Sequence, residues 1–394
     1  MGRAAQAVLY RPQRDRRYSS SSLKIARYCA LKSMAQFPIG VGVVGTGFGR
    51  KIHIPGFRAH PRTQVVAVYH RNLETAEAIA AEYDIPKAYS QVQALAQDPD
   101  VQAISIATPP FLHYEMARTA ISYGKHLLLE KPTALSQEEA EAIQTQAQSA
   151  GIVTSLDFEF RYVPAWQRLA ELLADGFVGR PRFIKVDWLV PGRADPGRAW
   201  SWYAQKDLGG GILGAVGSHV FDYLTWLFGP AQRLCARLST GITQRPDPNT
   251  GDLKPVDSDD ICQIMMELKD GTPVHIALSS ITHSGRGHWI DIYGDRGTLV
   301  LGSDNLKDYV HGFRLWSAEA GQPLQEIEIP SRLRFGHVYP DGRLAPFIRV
   351  VDHWVNDIAQ GRSSAPSLAE GVYSQQLMDR VHQSHQAGKW IDVS

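Results

Sequence analysis

Lys131 and His219 are of residue types that can transfer protons. Lys131 stands at the end of a predicted strand, and His219 stands at the start of a predicted helix. Lys131 follows the apolar run 126–129, which predicts a strand, and Pro132 restricts the lysine backbone to extended conformations. An ammonium group at such a position can hydrogen-bond a hydroxyl or carbonyl oxygen, and burial would lower its pKa enough for proton exchange near neutrality. The alternative is an exposed lysine where a strand meets a loop.

His219 lies at the start of an apolar helix predicted up to Phe228. Its imidazole can take or give a proton, although a histidine that caps the helix or packs in the core would show the same pattern. Asp222, one turn further, could orient His219 or bind a substrate, or be a solvated helix residue. Arg161 and Trp202 are further candidates for substrate contact, since aromatic faces suit sugar rings and planar ligands, but tryptophans more often pack a core.

A glycine-rich turn follows the first predicted strand, and a helix follows the turn. Such a turn is typical of a dinucleotide site, because the backbone approaches the pyrophosphate and the helix N-terminus offers free N–H groups. The usual third glycine would stand at position 50, which is Arg50 here. A plain strand–turn–helix corner is the alternative. The residues predicted to hold the pyrophosphate are Gly45, Thr46, Gly47, Phe48 and Gly49.

Strands and helical segments alternate after this turn. The predicted strands cover residues 65–69, 101–107, 126–129 and 152–154. Alternation of this kind indicates parallel strands joined by crossover helices, and the fully apolar run 101–107 fits a strand covered on both faces. We therefore expect an α/β Rossmann-type domain, a doubly wound parallel sheet, over residues 35–157.

The pattern changes over residues 158–394. Helices are predicted at 164–175 and 218–228, and strands then follow one another between residues 233 and 301 with short turns. Consecutive strands with short turns indicate a large open antiparallel sheet, hence an α+β domain for substrate binding and oligomerisation. One face should pack helices, and the other could cover a partner subunit in a homo-oligomer, a dimer or a tetramer.

Composition excludes several classes of protein. The 394 residues include 41 Lys and Arg against 40 Asp and Glu, so nucleic acid and anionic membrane surfaces are not expected as partners. No apolar run is long enough to cross a bilayer. Cys29, Cys235 and Cys262 show no metal-binding spacing, so we expect no metal and no disulfide framework, as in a cytoplasmic protein.

Residues 1–34 differ from the rest of the chain. They are basic and contain a serine run at 19–22. This composition is similar to that of an organellar transit segment, but a disordered tail, or an upstream start before a true start at Met34, is the simpler interpretation.

Three local patterns, taken in order, resemble the glucose–fructose oxidoreductase/inositol dehydrogenase (Gfo/Idh/MocA) family. They are the glycine turn at Gly45, the triplet Glu130-Lys131-Pro132, and Gly209-Gly210-Gly211 followed by Gly217-Ser218-His219-Val220-Phe221-Asp222. The resemblance covers the chain from about Met34 to its C-terminus. It implies a nicotinamide-binding domain followed by an open-sheet domain, with Lys131 and His219 as the catalytic residues.

The same resemblance implies further cofactor contacts. Thr108, Pro109 and His113 belong to a loop that, in the family, lies against the cofactor ribose and nicotinamide, and Glu130 lies beside Lys131. Many relatives carry an aspartate four residues before the histidine. Here that position is Ala215, which removes one group that could orient or charge the histidine.

Cofactor choice depends on the end of the second strand. NAD-specific relatives carry an acid there that accepts hydrogen bonds from the ribose hydroxyls. This chain has Tyr69-His70-Arg71-Asn72, and Arg71 could pair with a 2′-phosphate, which an acid would repel. The sequence therefore predicts NADP as the cofactor, with NAD as the alternative.

These observations predict a dehydrogenase that moves a hydride between nicotinamide and a hydroxyl-bearing carbon of a sugar, cyclitol or diol. In this hypothesis Lys131 polarises the oxygen and His219 relays the proton. One alternative is reduction of a conjugated substrate such as biliverdin. Another is a sensor that binds the dinucleotide without turnover; the presence of both Lys131 and His219 argues against it, and Ala215 favours it mildly.

Overall fold

The computed structural model describes residues 37–305 and 308–393, which belong to one compact unit that begins at Phe37. The predicted basic leader, residues 1–34, lies outside the described residues. Among the helices of the described ranges, none combines the length and the apolar character needed to span a bilayer.

The first sheet consists of parallel strands. They are β1 (Ile39–Val44), β2 (Thr63–Tyr69), β3 (Lys87–Tyr89), β4 (Ala103–Ile106), β5 (His126–Leu129) and β6 (Thr154–Leu156). In the described part of the chain the six strands lie in the order β3-β2-β1-β4-β5-β6, so the chain runs outward from β1 in one direction and then in the other. This is the doubly wound sheet that the alternating pattern predicted. The carboxyl ends of β1, β4 and β5 therefore meet at one edge, where ligands bind on such sheets.

Helices cover both faces of this sheet. They are α1 (Ile54–Ala59), α2 (Leu73–Glu82), α3 (Val92–Gln97), α4 (His113–Ser122) and α5 (Gln137–Ser149). Asn72 and Ser136 cap α2 and α5 by accepting hydrogen bonds from backbone N–H groups of the first turn. The short elements β3 and α3 were not predicted, because three and six residues carry too little periodicity. β6 begins at Thr154, where the predicted strand 152–154 ends.

The second sheet is larger. Its strands are β7 (Pro181–Leu189), β8 (Ala231–Ser239), β11 (Ile261–Leu268), β12 (Pro273–Ser279), β13 (Gly287–Gly294), β14 (Gly297–Ser303), β15 (Arg314–Glu319), β16 (Gln325–Ile327) and β17 (Ile391–Asp392), while β9 (Gln244–Pro246) and β10 (Leu253–Pro255) form a separate hairpin. The order is β16-β15-β14-β13-β7-β12-β11-β8-β17. The sheet is open and largely antiparallel, as predicted, and among its described strands only the pair β7–β12 runs in parallel. The chain leaves β7 through a helix and returns at β8, and β12 then lies beside β7 in the same direction.

The helices of this half are α6 (Pro164–Ala174), α7 (Ser218–Phe228), α8 (Tyr309–Gly312), α9 (Leu344–Gln360) and α10 (Leu368–Ala387). Side chains of α6, α7 and α10 pack with the inner face of the second sheet in one core. α9 packs against α1, where the rings of Phe57 and Phe347 lie 5.6 Å apart. α10 contacts both α5 and β8. The C-terminal helices therefore join the two sheets, and a cavity lies where the sheets meet.

Candidate active site

The glycine turn leaves β1 at Gly45, which adopts a φ of 113°. A Cβ at this position would lie 2.4 Å from the carbonyl oxygen of Ala107 at the end of β4, so only glycine fits. At Gly47 a Cβ would meet nothing within 4 Å. No side chain caps the helical turn Gly49–His53 that follows. The turn therefore presents open backbone and uncapped N–H groups, which fit a dinucleotide pyrophosphate.

Arg50, which replaces the third glycine, points away from this turn. Its guanidinium lies 2.5 Å from the Glu82 carboxylate on α2. The substitution is tolerated because Gly49 occupies the crowded position instead: a Cβ there would lie 3.3 Å from Val43 and 3.4 Å from Ala107.

A cavity of about 310 Å³ opens beside this turn, between the carboxyl edge of the first sheet and α7. Phe48 and Thr108 line it from the dinucleotide side, and Trp202 lines it from the second half of the chain. Lys131 and His219, which are 88 positions apart in the sequence, line the same cavity. The fold thus brings together the two side chains that the sequence predicted to be catalytic.

Lys131 is positioned by its neighbours on both sides. Its ammonium donates a hydrogen bond of 3.0 Å to the carbonyl oxygen of Ala215, and its backbone N–H donates to the Glu130 carboxylate at 3.2 Å. The peptide bond to Pro132 is cis. Of the three protons on the ammonium, one is used by Ala215, so the group retains donors for an oxygen in the cavity.

His219 is buried, and its Nδ1 has no hydrogen-bond partner within residues 37–305 and 308–393. Phe160 packs edge-on against the imidazole at 4.9 Å. Burial, and next the charge of Lys131, hold the pKa of His219 well below its ordinary value. The imidazole is therefore neutral near pH 7 and can accept a proton, but it carries none to donate as an imidazolium.

Three buried carboxyl groups complete this side of the cavity, and two of them, Asp157 and Glu159, were not predicted. They lie just beyond the end of β6. Burial, and next the charge of Glu130, raise the pKa of Glu159 to about 8 and that of Asp157 well above its ordinary range. The alternation Asp157-Phe158-Glu159-Phe160 directly after the buried strand β6 was the available signal, since such a position lies at the ligand-binding edge.

Glu130 is the ionised member of this group. It accepts a hydrogen bond of 3.0 Å from His53 Nε2, and the partnership with His53 lowers its pKa to about 2 despite burial. A further hydrogen bond links Glu130 with Asp157. Donor atoms of His53, Glu130 and Asp157 lie within 4.8 Å of one another, a spacing that a metal ion would also accept. Because hydrogen bonds already join these side chains, we interpret the trio as a hydrogen-bonded cluster.

The loop at residues 108–113, predicted to contact the cofactor, borders the cavity. Thr108 lines the cavity, as does Pro110 rather than Pro109. His113 is fully buried, with its two ring nitrogens 2.8 Å from the carbonyl oxygen of Thr108 and 2.9 Å from that of Pro132. Its side chain is therefore placed to fix the two loops that face the cavity, and it has no free nitrogen for a cofactor.

Arg161 and Asp222, predicted to contact substrate, contact each other. The guanidinium binds the carboxylate through both oxygens, with a shortest distance of 2.6 Å, and the side chains are 10% and 2% exposed. Neither residue lines the cavity, and no hydrogen bond joins Asp222 to His219 among the described residues. Trp202 does line the cavity, as predicted.

Arg71 lies at the exposed end of β2. The side chains on either side of Arg71 make local hydrogen bonds. His70 Nδ1 accepts the backbone N–H of Asn72 at 3.1 Å, and the Asn72 side chain caps α2. No hydrogen bond or ion pair of the Arg71 side chain is found within the described ranges. The arginine is thus available to a ligand at this edge.

Sequence comparison assigns both halves of the chain to one family. Residues 39–158 match the NAD-binding Rossmann fold of the GFO_IDH_MocA oxidoreductase family, and residues 170–393 match its C-terminal alpha/beta domain. The chain belongs to this family. An uncharacterized oxidoreductase of Synechocystis sp. is 54% identical over 90% of this chain and 95% of its own length.

Other relatives of this Gfo/Idh/MocA member include levoglucosan dehydrogenase, of which a complex with ligands is known. Levoglucosan dehydrogenase of Pseudarthrobacter phenanthrenivorans is 28% identical over 90% of this chain and 98% of its own length. A structure of levoglucosan dehydrogenase in complex with NADH and levoglucosan superposes with a TM-score of 0.82, at 26% identity over 90% of this chain and 99% of that one. An oxidoreductase domain protein from Kribbella flavida gives the same TM-score at 26% identity, over 91% of this chain and 100% of that one.

Membership confirms the predicted family, fold class and enzyme class. The protein is an oxidoreductase whose first domain binds a nicotinamide dinucleotide. The open glycine turn and the adjoining cavity fit that cofactor, which supplies or accepts a hydride when bound.

Proposed function

We propose that this oxidoreductase transfers a hydride between NADP and a hydroxyl-bearing carbon of a sugar, cyclitol or diol. The observation that carries the proposal is the convergence of Lys131 and His219 on one cavity beside the dinucleotide turn. A sugar, levoglucosan, is bound in the complex of a related dehydrogenase, which supports this substrate class. Trp202 offers an apolar face in the same cavity, and sugar rings commonly stack on such faces.

Lys131 holds the reacting oxygen in this proposal. Its ammonium is fixed by the Ala215 carbonyl and retains donors that can stabilise negative charge developing on a carbonyl or alkoxide oxygen. His219, neutral in its buried setting, accepts the hydroxyl proton in the direction of oxidation. Phe160 and the fully buried position of the ring keep the imidazole in a fixed orientation.

NADP rather than NAD is supported by the end of β2. Arg71 is exposed there, and the neighbouring positions carry no acid that would repel a 2′-phosphate. The guanidinium can bind phosphate oxygens through two parallel N–H groups, a geometry that a lysine or a neutral residue cannot supply.

A homo-oligomer is supported by the outer face of the second sheet. Phe183 and Tyr293 stack at 6.2 Å on neighbouring strands, and both are exposed. Trp289 and Trp316 stack at 5.4 Å on the same face. A second copy of the chain would cover these apolar rings.

The test is a panel of sugars, cyclitols and diols assayed with NADP⁺ and NAD⁺ by the appearance of reduced nicotinamide. Lys131→Met keeps the length of the side chain but removes its charge, and it is expected to lower kcat/KM by about 100-fold or more. The matched control is Lys269→Met, which changes an exposed lysine on the turn after β11.

The dinucleotide affinity of Lys131→Met, measured by calorimetry, separates a loss of catalysis from a loss of binding. Unchanged turnover in Lys131→Met would remove this residue from the reaction. Absence of turnover on every member of the panel, with either dinucleotide, would contradict the proposed substrate class.

A further inference from the structure

Glu159 occupies an unusual position for a carboxyl group. It lies beyond β6 in the cavity that Lys131 and His219 also line, and the residue is only 4% exposed. Its Oε2 has no hydrogen-bond partner within residues 37–305 and 308–393. A buried carboxylate without partners would be costly, so the group is kept in its neutral, protonated form.

The neighbouring carboxyl groups make hydrogen bonds with other side chains, whereas Glu159 Oε2 has no partner among the described residues. Glu130 accepts hydrogen bonds from His53 and from the Lys131 backbone. Asp157 also has an unpartnered oxygen, Oδ1, among the described residues, but a hydrogen bond links its carboxyl group to Glu130. Glu159 is therefore the carboxyl of the group that no neighbouring acid holds by a hydrogen bond, and its proton can move to a ligand in the cavity.

Position 215, four residues before His219, carries an alanine and therefore supplies no acid to the cavity. Ala215, in the turn Leu213–Gly217 that precedes α7, presents a methyl group to the cavity and a carbonyl to Lys131. His219 is neutral, and among the described residues no carboxylate bonds to its Nδ1. Apart from the ammonium of Lys131, which the Ala215 carbonyl holds, the buried carboxyl groups are the candidates to supply a proton to the substrate.

We propose that Glu159, rather than His219, exchanges the proton with the substrate oxygen: it protonates that oxygen during reduction of a ketone or aldehyde and, as the carboxylate, takes the proton back during oxidation. The inference rests on the function proposed above and adds a catalytic residue to it, which takes the proton-transfer role from His219. In the balanced step the carbonyl carbon gains a hydride from the dihydronicotinamide. Its oxygen takes the Glu159 proton, and the products are an alcohol, oxidised nicotinamide and the Glu159 carboxylate. Solvent then returns one proton to the carboxylate.

Charges around Glu159 allow this cycle. Lys131 and Arg343 are the cations that favour its ionised form, and Glu130 and Asp341 are the anions that oppose it. His219 on α7 is neutral and adds no charge. Burial is the largest influence on Glu159 and favours the neutral acid as its resting state, while Lys131 and Arg343 stabilise the carboxylate that forms after proton transfer.

Glu159→Gln tests the proposal, since the amide keeps the shape but cannot release a proton. Ketoses, keto-cyclitols and hydroxyketones are assayed with NADPH across pH 6 to 10. We expect kcat for reduction to fall by about 100-fold or more, and the loss of wild-type rate above about pH 8 to vanish in the variant. Glu159→Asp, which retains an acid, should recover part of the rate. Glu171→Gln, the same substitution on α6, is the matched control.

A second readout does not depend on turnover. Infrared difference spectra between pH 6 and pH 10 should show a stronger carboxylic acid C=O band in the wild type than in Glu159→Gln, with or without NADPH, because the carboxyl group of Asp157, whose pKa is also raised, contributes to the band in both proteins. Wild-type reduction together with an unaffected Glu159→Gln rate, or identical infrared spectra, would overturn the role of Glu159. A wild type that reduces no carbonyl compound and oxidises no alcohol would overturn the proposed function itself.

Discussion

The pair Arg161–Asp222 offers a direct test of whether two predicted substrate ligands are instead structural. The guanidinium and carboxylate are buried and joined by three hydrogen bonds. Burial raises the pKa of Asp222 to about 6 against the opposing effect of Arg161, so both groups are charged above neutral pH. Asp222→Asn keeps the shape of the side chain and leaves a buried guanidinium without its counter-charge.

The expected loss in the free energy of unfolding follows from the burial of this ion pair. Removing one partner of a buried ion pair destabilises a protein by about 3–5 kcal/mol. A compact unit that begins at Phe37 and ends at Ser394 has an unfolding entropy of about 0.7 kcal/mol per kelvin, so Tm should fall by about 4–7 °C. Arg161→Met should produce a loss of similar size, because it leaves the carboxylate unpaired.

The double variant Arg161→Met/Asp222→Asn separates the two interpretations. If the pair is structural, the double variant removes both charges and should be less destabilised than the sum of the single variants by about 2 kcal/mol, with its KM near the wild-type value. Thermal scans and steady-state kinetics with the best substrate measure these quantities. An unchanged Tm in the single variants, together with a KM raised tenfold or more in all three, would refute the reasoning and restore the substrate-binding role.

Four further outcomes are expected. Gly45→Ala should weaken NADPH binding at least tenfold in a fluorescence titration, because the added Cβ would lie 2.4 Å from a backbone oxygen. The control Gly251→Ala, also at positive φ but with open space around it, should bind NADPH with wild-type affinity. Equal affinities of the two variants would refute the role of the turn. Arg71→Asp should weaken NADPH about 10- to 100-fold and leave NADH unchanged or improved, and an unaltered NADPH affinity would contradict the NADP assignment. The pKa of Glu159 is raised to about 8, so the native state holds a proton that the unfolded chain loses near pH 4.5, and the free energy of unfolding falls as pH rises toward 8. Between pH 6 and 9 the wild-type Tm should therefore drop about 3–4 °C more than the Tm of Glu159→Gln. Parallel Tm-against-pH curves for the two proteins would contradict the raised pKa. Phe183→Glu should reduce the oligomer seen by sedimentation velocity, and a wild type that sediments as a monomer would remove the basis for that expectation.

The residues of the site differ in how far the sequence predicted them. Lys131 and the glycine turn were recognisable because their local spacing is tied to the end of a strand, and the doubly wound sheet places such ends together. Asp157 and Glu159 escaped attention, because an acid after a strand is common and only its burial makes it unusual. The parallel pairing of β7 with β12 was not predicted either, because the sequence shows consecutive strands but does not show which strands pair in the sheet.

The amino-acid sequence by itself determined the alternation of strands and helices in the first half of the chain, the glycine that the turn requires and the family, since these depend on residues close together in the chain. Only the tertiary structure decided that Arg161 binds Asp222, that both ring nitrogens of His113 lie against carbonyl oxygens, and that Glu159 lines the cavity with its Oε2 unpartnered among the described residues. Those outcomes depend on burial and on contacts between distant segments, which set the cost of each charge and the partner that each polar atom finds.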